Sequence, residues 1–408
     1  MDRTISGRFI MAATVALACG MSGCSSSSSG PPTTATATGS GGGGGVSASG
    51  GAGGKSAGGA NAGGSAQGGS GGSAQGGAGG VGPPPVVHPV AGVVVSTLAG
   101  SETGGSQDGA GATALFNNPV NVARDANGSV VVAEYDGNRL RRVDGDVVTT
   151  LTLKANFAKP FGLAFGPSGE LFVQTDENLS GQHEDTNGTV WRVDPVTGTP
   201  TMVVENAGWP RGLAVLADGR VVLADRKSHT LRLLDPKTGA STLLAGSAGA
   251  PGFADGQGAA ARFDDPYGLA LDPAGNLVVA DRMNHRLRLV TLAGDVTTLA
   301  GVGGEGMVDG PAATAYFKWP QDVATDAAGN VYVTDNGNHR IRRLDPNGEV
   351  MTVAGDGTAG FQDGAGDVAR FFGQEGLDVS PDGKTLFVAD GNGGDPGPYH
   401  RLRKIEVP

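Results

Sequence analysis

The amino-acid sequence predicts an all-β fold, a six-bladed β-propeller, on three observations. Six imperfect copies of one pattern fill residues 119–408 of the 408-residue chain. Each complete copy holds four short apolar runs separated by turn residues, without a helical period. The sixth copy ends after its third run, and a run that matches the missing fourth stands before the first copy, at residues 93–100. Such four-stranded units are typical of propeller blades, which bury their faces only against neighbouring blades.

The copy with the clearest pattern gives the order of the predicted strands. Residues 269–271 belong to the first strand, and the turn at residues 272–276 (Asp-Pro-Ala-Gly-Asn) follows. Residues 277–280, 287–290 and 296–299 are the second, third and fourth apolar runs. Pro, Gly, Asp and Asn favour tight turns because each adopts or supports the backbone angles that turns require. The sequence therefore predicts four short strands joined by tight turns in each blade.

The first strands of the six copies set the spacing of the blades. They begin at Pro119, Pro160, Pro210, Pro266, Pro320 and Gln374, which gives spacings of 41, 50, 56, 54 and 54 residues. Repeats of about this length indicate a modular β architecture. The run at residues 93–100 matches the fourth run of the fourth copy, at residues 295–301. We expect it to complete the sixth blade and close the ring, because an unpaired edge would expose backbone donors and acceptors.

Two pairs of segments point to the type of repeat. They are residues 275–281 with Asn284-His285-Arg286-Leu287, and residues 329–335 with Asn338-His339-Arg340-Ile341. Both resemble the NHL repeat, and the connecting segments from Gly252 to Phe263 and from Gly360 to Phe371 resemble those of bacterial members. The resemblance covers residues 93–408 and implies a six-bladed propeller. It implies no single function, because NHL domains serve enzymes, RNA-binding regulators and protein-binding sensors.

Residues 91–408 carry the acidic character of the protein. The chain has 29 Lys and Arg against 40 Asp and Glu, and only three of these basic residues and one of these acids precede residue 91. The propeller therefore holds 26 basic and 39 acidic residues, and no basic face is apparent in its sequence. Because an acidic body repels phosphate backbones, we expect no nucleic-acid partner.

The N-terminus resembles a bacterial lipoprotein signal. Arg3 and Arg8 precede an apolar run at residues 9–18, which is too short to span a bilayer. Small residues then lead to Cys24, which resembles the lipid-bearing first residue of a mature lipoprotein. Residues 1–23 are therefore predicted to be a lipoprotein signal peptide, with lipidation at Cys24.

Two alternatives to this signal stay open. Cys19 ends a second, poorer candidate box with a shorter apolar core, and the segment also suits an ordinary cleaved signal with an incidental cysteine. Met21 stands where lipoproteins usually have leucine. In lipoproteins, Asp after the cysteine favours the inner membrane, so Ser25 favours the outer membrane. The predicted location is the bacterial cell envelope, with the membrane reached only through the lipid anchor.

Residues 24–90 are predicted to comprise the lipidated cysteine and a disordered linker. Almost all residues from 25 to 90 are Gly, Ser, Ala, Thr or Pro, and such a stretch cannot bury enough apolar area to offset its ordering entropy. The propeller domain is then residues 91–408, which contain neither of the two cysteines of the chain. The domain is therefore expected to fold without disulfide bonds.

The histidines and acid–arginine pairs of the repeat are interpreted as structural. One repeat position is occupied by His229, His285, His339 and His400, and a catalytic residue is rarely needed four times around a ring. Each is expected to cap the turn between the second and third strands. Ion pairs across the same turn are expected for Glu134 with Arg139, Asp281 with Arg286, Asp335 with Arg340 and Asp390 with Arg401.

Departures from the repeat point to a ligand site. The second and third residues of each inner strand are expected to open on one face, around the central channel, and the third is glycine in four of the six copies. Asn121 and Asp322 break this rule. The residues predicted to bind a ligand at the channel mouth are Asn121, Arg211, Tyr267, Gln321, Asp322 and Glu375. The alternative is a hydrated plug of the channel.

Metal binding is a second possibility for this face. Asn121, Asp322 and Glu375 come from adjacent blades, and calcium prefers carboxylate and amide oxygens. Inserts at residues 178–188 of blade two and 391–398 of blade six also carry carboxylates, without the spacing of an EF-hand, and solvated loops are the competing interpretation. No cofactor is firmly predicted, and calcium is the candidate.

Two functions follow from these observations. The first is a membrane-anchored, surface or periplasmic propeller that binds a protein, glycan or small-molecule ligand on one face, as a monomer, because recognition usually lies on variable loops of a rigid scaffold. The alternative is a metal-dependent hydrolase or lyase of the six-bladed type with its site at the central channel. No histidine begins an inner strand and only three ligands are placed for a metal, so the sequence favours a protein that is not an enzyme.

Overall fold

The chain folds into six antiparallel sheets, as seen in a computed structural model that describes residues 85–152, 155–391, 397 and 399–408. Besides strands, the described residues form three single turns of 3-10 helix, at Gly258–Ala260, Arg282–Asn284 and Asn336–Asn338. None of the helices in these described ranges is long and apolar enough to cross a membrane. The prediction of an all-β fold is confirmed.

The strands pair as antiparallel neighbours. The first ten are β1 (Val94–Ser101), β2 (Gly109–Ala110), β3 (Pro119–Arg124), β4 (Val130–Glu134), β5 (Arg139–Asp144), β6 (Val147–Thr152), β7 (Pro160–Phe165), β8 (Leu171–Thr175), β9 (Thr189–Val193) and β10 (Pro200–Val204). The next nine are β11 (Pro210–Val215), β12 (Val221–Asp225), β13 (Thr230–Leu234), β14 (Ser241–Gly246), β15 (Gly256–Gln257), β16 (Pro266–Leu271), β17 (Leu277–Asp281), β18 (Arg286–Val290) and β19 (Asp295–Ala300). The last nine are β20 (Gly310–Pro311), β21 (Pro320–Thr325), β22 (Val331–Asp335), β23 (Arg340–Leu344), β24 (Glu349–Ala354), β25 (Gly364–Ala365), β26 (Gly373–Val379), β27 (Thr385–Gly391) and β28 (His400–Glu406).

The innermost strands form a closed ring. They are β3, β7, β11, β16, β21 and β26, and each contacts the next around the channel. Five of them begin at the predicted prolines, and β26 begins at Gly373, one residue before the predicted Gln374. Each sheet is therefore one blade, and the prediction of a six-bladed propeller is confirmed.

The N-terminal strand completes the sixth blade, as predicted. β1 pairs antiparallel with β28 from Val94 opposite Glu406 to Ser101 opposite His400, one residue later than the predicted run. The strand order of this blade is β25-β1-β28-β27-β26, so β1 covers the edge that the C-terminal strand would otherwise expose.

Contacts with the propeller begin upstream of residue 91. Val86 and Pro89 form parallel bridges to Val308 and Thr352 of blade five. The predicted domain boundaries remain predictions, because the signal peptide, Cys24 and the linker up to residue 84 lie outside the described residues.

The six blades are of two kinds. Blades one, four, five and six have five strands, because the long connector that precedes each inner strand adds a short outer strand. Those added strands are β2, β15, β20 and β25. Blades two and three have four strands, because their connectors are only residues 153–159 and 205–209. The fold is therefore regular on one side of the ring and shortened on the other.

One buried arginine holds each long connector in place. In blade four, Arg288 donates to Asp281 at the end of β17 at 2.6 Å and to Asp255 of the connector at 2.7 Å. The expected ion pair between Asp281 and Arg286 is therefore wrong, because the carboxylate bonds the arginine two residues further along the strand. Asp335 likewise pairs with Arg342 rather than Arg340. Equivalent arginines in the other two long-connector blades are Arg141 and Arg403, and in blade one the expected pair of Glu134 with Arg139 is also present, at 3.6 Å.

The repeated histidines have a structural role that also shapes the mouth of the channel. His229 Nδ1 accepts the backbone N–H of Asp265 at 3.1 Å, and His285 Nδ1 accepts that of Trp319 at 3.2 Å. The backbone of both donor residues is strained. Asp265 has a φ of 57° and Trp319 a φ of 51°, in the left-handed region that residues with side chains rarely adopt. The histidines thereby fix the two side chains that directly precede the inner strands β16 and β21.

Candidate functional site

Five of the six predicted ligand residues line two separate cavities. Tyr267, Gln321 and Glu375 line a cavity of about 310 Å³ at the end of the propeller where the inner strands begin, here called the mouth. Asn121 and Asp322, one position further along their strands, line a separate cavity of about 260 Å³ within the channel. The third residues of the inner strands thus point into the channel, and the second residues point to the mouth.

Asn121 and Asp322 are engaged with the backbone of the ring. Asn121 Oδ1 accepts the N–H of Val122 at 2.7 Å. Asp322 Oδ1 accepts the N–H of Val323 at 2.9 Å, and its Oδ2 accepts the N–H of Leu377 in the next blade at 3.0 Å. Burial raises the pKa of Asp322 to about 7. The Asp322 contacts join the inner strands β21 and β26, whereas the Asn121 contact stays within β3, and both side chains have a structural role.

A metal site at these residues finds no geometric support. Asn121 and Asp322 line the channel cavity, whereas Glu375 lines the mouth. Within the part of the chain that the structure describes, no three His, Cys, Asp or Glu side chains are grouped to hold a metal ion. Calcium binding therefore stays a prediction, and its three candidate residues line two separate cavities.

Arg211 belongs to the mouth, with a partner that the sequence did not suggest. Its Nη1 and Nη2 donate to Asp176 Oδ1 and Oδ2 at 2.6 and 2.8 Å, and its guanidinium lies 4.0 Å from the ring centre of Phe161. Asp176 also accepts the hydroxyl of Tyr135 at 2.6 Å. Burial would raise the pKa of Asp176, but Arg211 outweighs it and holds that pKa below its ordinary value. Asp176 was missed because it follows β8, where blades three and four carry arginine.

Two further arginines at the mouth share one carboxylate. Arg226 donates to Asp265 through Nε at 2.6 Å and Nη2 at 3.1 Å, and Arg282 donates to Asp265 Oδ2 at 2.9 Å. Each of these arginines directly follows the second strand of its blade, at the same repeat position as Asp176. Two guanidinium groups on one carboxylate leave an excess positive charge beside the cavity.

Aromatic rings alternate with these cations around the mouth. The ring of Trp209 lies 5.0 Å from Arg211 and 5.5 Å from Arg226. The ring of Tyr267 lies 5.2 Å from Arg226 and 5.8 Å from Arg282. The ring of Trp319 lies 5.8 Å from Arg282. Separations below about 6 Å permit cation–π attraction. The set is called the arginine–aromatic belt and comprises Trp209, Arg211, Arg226, Tyr267, Arg282 and Trp319.

Four buried donors of the belt have no acceptor among the described residues. They are the Nε groups of Arg211 and Arg282 and the indole N–H groups of Trp209 and Trp319. A buried donor without a partner costs about 1–3 kcal/mol, so such groups favour a ligand or solvent that offers acceptors. The Nε groups of the structural arginines Arg141, Arg288 and Arg403 also lack acceptors, so these buried donors do not by themselves mark a ligand site.

Glu375 is the acidic group of the mouth that is not tied to a single cation. Burial raises its pKa to about 7, which the arginines Arg211, Arg282 and Arg226 and a hydrogen bond with Gln321 only partly oppose. Its carboxyl group therefore changes its protonation state close to neutral pH. Burial and the nearby Glu375 also raise the pKa of Tyr267 to about 12, so its hydroxyl stays a donor.

The insert of blade two reaches the rim of the belt. His183 lies edge-on to Trp209 at 5.3 Å between ring centres, and its Nε2 lies 3.6 Å from Asp176 Oδ2. Asp185 of the same insert lies 3.8 Å from Lys227 Nζ. In blade six, residues 392–396 and 398 of the predicted insert lie outside the described residues. The length variation of blade two thus falls beside the candidate site.

The belt is a cluster of cations and aromatic rings on an acidic protein, which the sequence did not reveal. Its arginines come from two positions of blade three and one of blade four, and Lys227 and Lys318 flank the two tryptophans at 5.3 and 5.0 Å. These residues stand far apart in the chain and meet only because the blades close into a ring. Spacing within one repeat could not show the cluster, because each copy contributes only one or two cations.

Comparisons with curated proteins agree with the repeat type. The family model of the NHL repeat matches residues 263–288 and 317–344. The chain is 28% identical over 298 residues to Protein SUPPRESSOR OF QUENCHING 1, chloroplastic, of Arabidopsis thaliana, across 61% of this chain and 27% of that protein. It is 28% identical over 312 residues to NHL repeat-containing protein 2 of Bos taurus, across 62% of this chain and 42% of that protein. The chain thus spans less than half the length of these relatives.

Solved structures agree with the architecture. A crystal structure of a Bacteroides thetaiotaomicron protein of unknown function matches with a TM-score of 0.62 and 22% identity, over 78% of this chain and 76% of that chain. An auxiliary nutrient binding protein of the same organism matches with a TM-score of 0.60 and 18% identity, over 77% and 76%. At these identities the likeness shows the fold. The chain carries NHL repeats and is a six-bladed propeller, as predicted, and its lipoprotein type stays a prediction.

Proposed function

We propose that the protein is a ligand-binding propeller whose arginine–aromatic belt holds an acidic, hydroxyl-rich ligand such as a uronic acid unit of a glycan. One observation carries the proposal: three guanidinium groups and three aromatic rings lie together at this end of the propeller, and Arg226 and Arg282 share the single carboxylate of Asp265. Guanidinium groups bind carboxylates with two parallel hydrogen bonds. Tyr and Trp rings offer an apolar face with a polar edge, which suits a sugar ring.

The charges of the mouth favour an anion. Arg211 and Asp176 neutralise each other, and Asp265 neutralises one of Arg226 and Arg282. The remaining cation faces Glu375, which loses its charge as the pH falls through about 7. A bound carboxylate would replace Glu375 as the counterion of that cation.

Two structural neighbours support a binding role. Proteins of Bacteroides thetaiotaomicron and Bacteroides ovatus with this fold are described as auxiliary nutrient binding proteins, both at a TM-score of 0.60. A nutrient-binding role on a tethered propeller agrees with the predicted lipid anchor at Cys24 and the long linker. In this proposal the protein captures its ligand at the surface of the cell envelope, and the linker lets the domain move away from the membrane.

Isothermal titration calorimetry with a digalacturonate probe tests the proposed ligand class. We expect saturable binding, no binding of the neutral disaccharide, and at least about tenfold weaker binding for Arg282→Gln, because a charged hydrogen bond contributes about 1.5–3 kcal/mol. Arg220→Gln is the matched control, since Arg220 pairs with Asp218 in an exposed turn away from the mouth. Equal binding of the acidic and neutral sugars, or no binding of either, would contradict the proposal.

Membrane attachment is tested separately. Replacing the predicted acceptor, Cys24→Ser, is expected to remove the lipid anchor and to shift the protein out of the lipidated membrane fraction, as measured by fractionation with labelled fatty acid. A wild-type protein that is cleaved, unlabelled and soluble would show that an ordinary signal is present instead. The ligand-binding proposal does not depend on this outcome.

A second function is favoured by one feature of the mouth. Glu375 combines a pKa of about 7 with a position in a cavity lined by arginines, which suits a general acid or base. The alternative is therefore a hydrolase or lyase that acts on the same acidic ligand. Incubation of the digalacturonate probe with wild type and Glu375→Gln separates the two functions. Release of product by wild type and not by the variant would favour the enzyme, whereas binding without product by both favours the binding protein.

A further inference from the structure

The grooves beside the four five-stranded blades are filled by one recurrent motif. Their connectors contain Asp-Gly, four residues, Ala, one residue and Phe, at residues 108–116, 255–263, 309–317 and 363–371. The Ala and the Phe of each motif are fully buried. The Asp of each motif pairs with the buried arginine of its blade, as Asp255 does with Arg288 at 2.7 Å. The motif is called the plug. Its Asp binds the buried arginine of the blade, and its Phe side chain is buried in the groove.

Each buried arginine also donates hydrogen bonds to backbone carbonyls of its plug. Arg288 Nη1 donates to the carbonyl of Arg262 at 3.0 Å, and its Nη2 donates to the carbonyl of Ala254 at 2.9 Å. The Asp255 carboxylate in turn accepts the N–H and hydroxyl of Thr298 on the outer strand at 3.3 and 3.1 Å. Recognition of the plug thus depends on an extended backbone with one acidic side chain, and hardly on the residues between.

Blade three has the arginine and the carboxylate that correspond to the binding site of the plug, but its connector lacks the plug motif. Arg232 occupies the position of Arg288 on its strand, and Asp225 occupies that of Asp281. The preceding connector is only residues 205–209, and Ala207 stands three residues before the inner strand, where the other five connectors have phenylalanine. Those phenylalanines are Phe116, Phe157, Phe263, Phe317 and Phe371.

An open groove of about 530 Å³ results between blades two and three. Arg232, Ala207, Lys227 and Ser241 are among the residues that line it. The Arg232 guanidinium is half-buried and donates through Nε to Ser241 Oγ at 2.9 Å. Among the described residues, its two terminal nitrogens make no hydrogen bond or ion pair, although the equivalent nitrogens of Arg288 make four contacts to the plug and to Asp281.

Blade two shows that a missing plug need not leave a groove. There Trp191 replaces the arginine, is 1% exposed and packs against Phe157 with 5.7 Å between ring centres. Its indole N–H donates to Thr175 at 2.9 Å. The short connector of blade two is therefore compensated by an apolar filling, whereas blade three retains a charged receptor without its occupant.

We infer that the groove of blade three binds an extended peptide segment of a partner protein, with an acidic residue eight positions before an aromatic one. The acid would pair with Arg232, the backbone carbonyls would accept from its terminal nitrogens, and the aromatic ring would fill the space above Ala207. Within the described residues, the outer strand β14 has no fifth strand beside it, so the segment can also pair with its edge. Blade five already accepts such an addition, since Val86 and Pro89 bridge to its connector and its outer strand.

Fluorescence anisotropy with a labelled peptide of residues 253–263 (FADGQGAAARF) tests the inference. We expect saturable binding to the wild-type protein and at least about tenfold weaker binding to Arg232→Gln or to a peptide with Asp255→Asn. Arg220→Gln in the protein serves as the control and should bind as wild type. Arg232 makes a single side-chain hydrogen bond, so its variant is expected to fold, and near-ultraviolet circular dichroism checks this.

Three outcomes would overturn the inference. The first is an absence of saturable peptide binding, and the second is equal binding by wild type and Arg232→Gln. The third is a wild-type dimer that Arg232→Gln converts to a monomer, because the occupant would then be a second copy of this chain. If the wild-type protein binds the peptide but does not bind the sugar probe at the mouth, the result contradicts the proposed function and not this inference.

Discussion

Blades three and four carry the same arginine and the same carboxylate, but only in blade four are the two joined. In blade four, Arg288 is fully buried, bonds Asp281 at 2.6 Å and is sealed beneath its connector. In blade three, Arg232 is half-buried. Within the part of the chain that the structure describes, it forms no ion pair with Asp225. The difference lies in the connector, not in the blade. A repeat position is structural where the chain supplies its partner and becomes available for recognition where the chain does not.

The same rule distinguishes the mouth from the rest of the ring. The repeat supplies partners to His229 and His285 and to the terminal nitrogens of the buried arginines of the long-connector blades. At the mouth, Arg226 and Arg282 occupy positions that vary from blade to blade, and they share the single carboxylate of Asp265. Both candidate recognition surfaces therefore consist of cations whose partners are incomplete.

The largest expected effect concerns the closure on which every blade depends. Deleting residues 25–84 should leave the free energy of unfolding unchanged, whereas deleting residues 25–101 should lower it by on the order of 4 kcal/mol, because β1 buries Val95 and Ala99 and pairs with β28. Guanidinium unfolding monitored by circular dichroism measures both. Similar stability of the two truncations would show that blade six does not need β1.

The next effect separates the sealed arginine from the open one. Arg288→Ala should lower the free energy of unfolding by about 3–5 kcal/mol, because it leaves Asp281 and Asp255 without their cation. Arg232→Ala should lower it by less than about 1 kcal/mol, since it breaks one hydrogen bond at a half-buried site. Urea unfolding of the matched pair measures the difference. A large loss at Arg232 would mean that blade three is sealed in solution.

The smallest effect is a pH dependence at the mouth. The pKa of Glu375 is raised to about 7, so the group becomes neutral as the pH falls below that value, while the carboxylate of a uronic acid stays ionised. Removing one nearby negative charge should strengthen binding of the acidic probe about three- to tenfold between pH 8 and pH 6. Titrations at several pH values measure this shift, and Glu375→Gln should abolish it. An affinity that rises with pH would place the site away from Glu375.

The repetition of apolar runs and turn residues was enough to predict the architecture. Positions of the inner strands follow from Pro119, Pro160 and their counterparts, and the closing strand follows from its match to residues 295–301. Each of these signals repeats, so one copy checks another. The expected pairing of Asp281 with Arg286 failed because Arg286 and Arg288 lie two residues apart on the same face of β18, and strand register alone does not say which of them bonds the carboxylate.

The candidate site could be predicted only in part. Arg211, Tyr267, Gln321 and Glu375 were found because they vary at an inner-strand position that faces the mouth. Asn121 and Asp322 differ from them by one position, and a one-residue step along a strand turns a side chain toward the channel. Arg226, Arg282 and Asp176 follow second strands, so their contribution depends on how the blades close together.

A crossed titration tests most directly whether cations with incomplete partners mark two recognition surfaces. The digalacturonate probe and the peptide of residues 253–263 are each titrated into wild type, Arg282→Gln and Arg232→Gln. We predict that Arg282→Gln weakens only the sugar and Arg232→Gln weakens only the peptide, each by at least about tenfold. If both variants bind both probes as tightly as wild type, arginines that lack a carboxylate of their own do not mark binding sites in this protein.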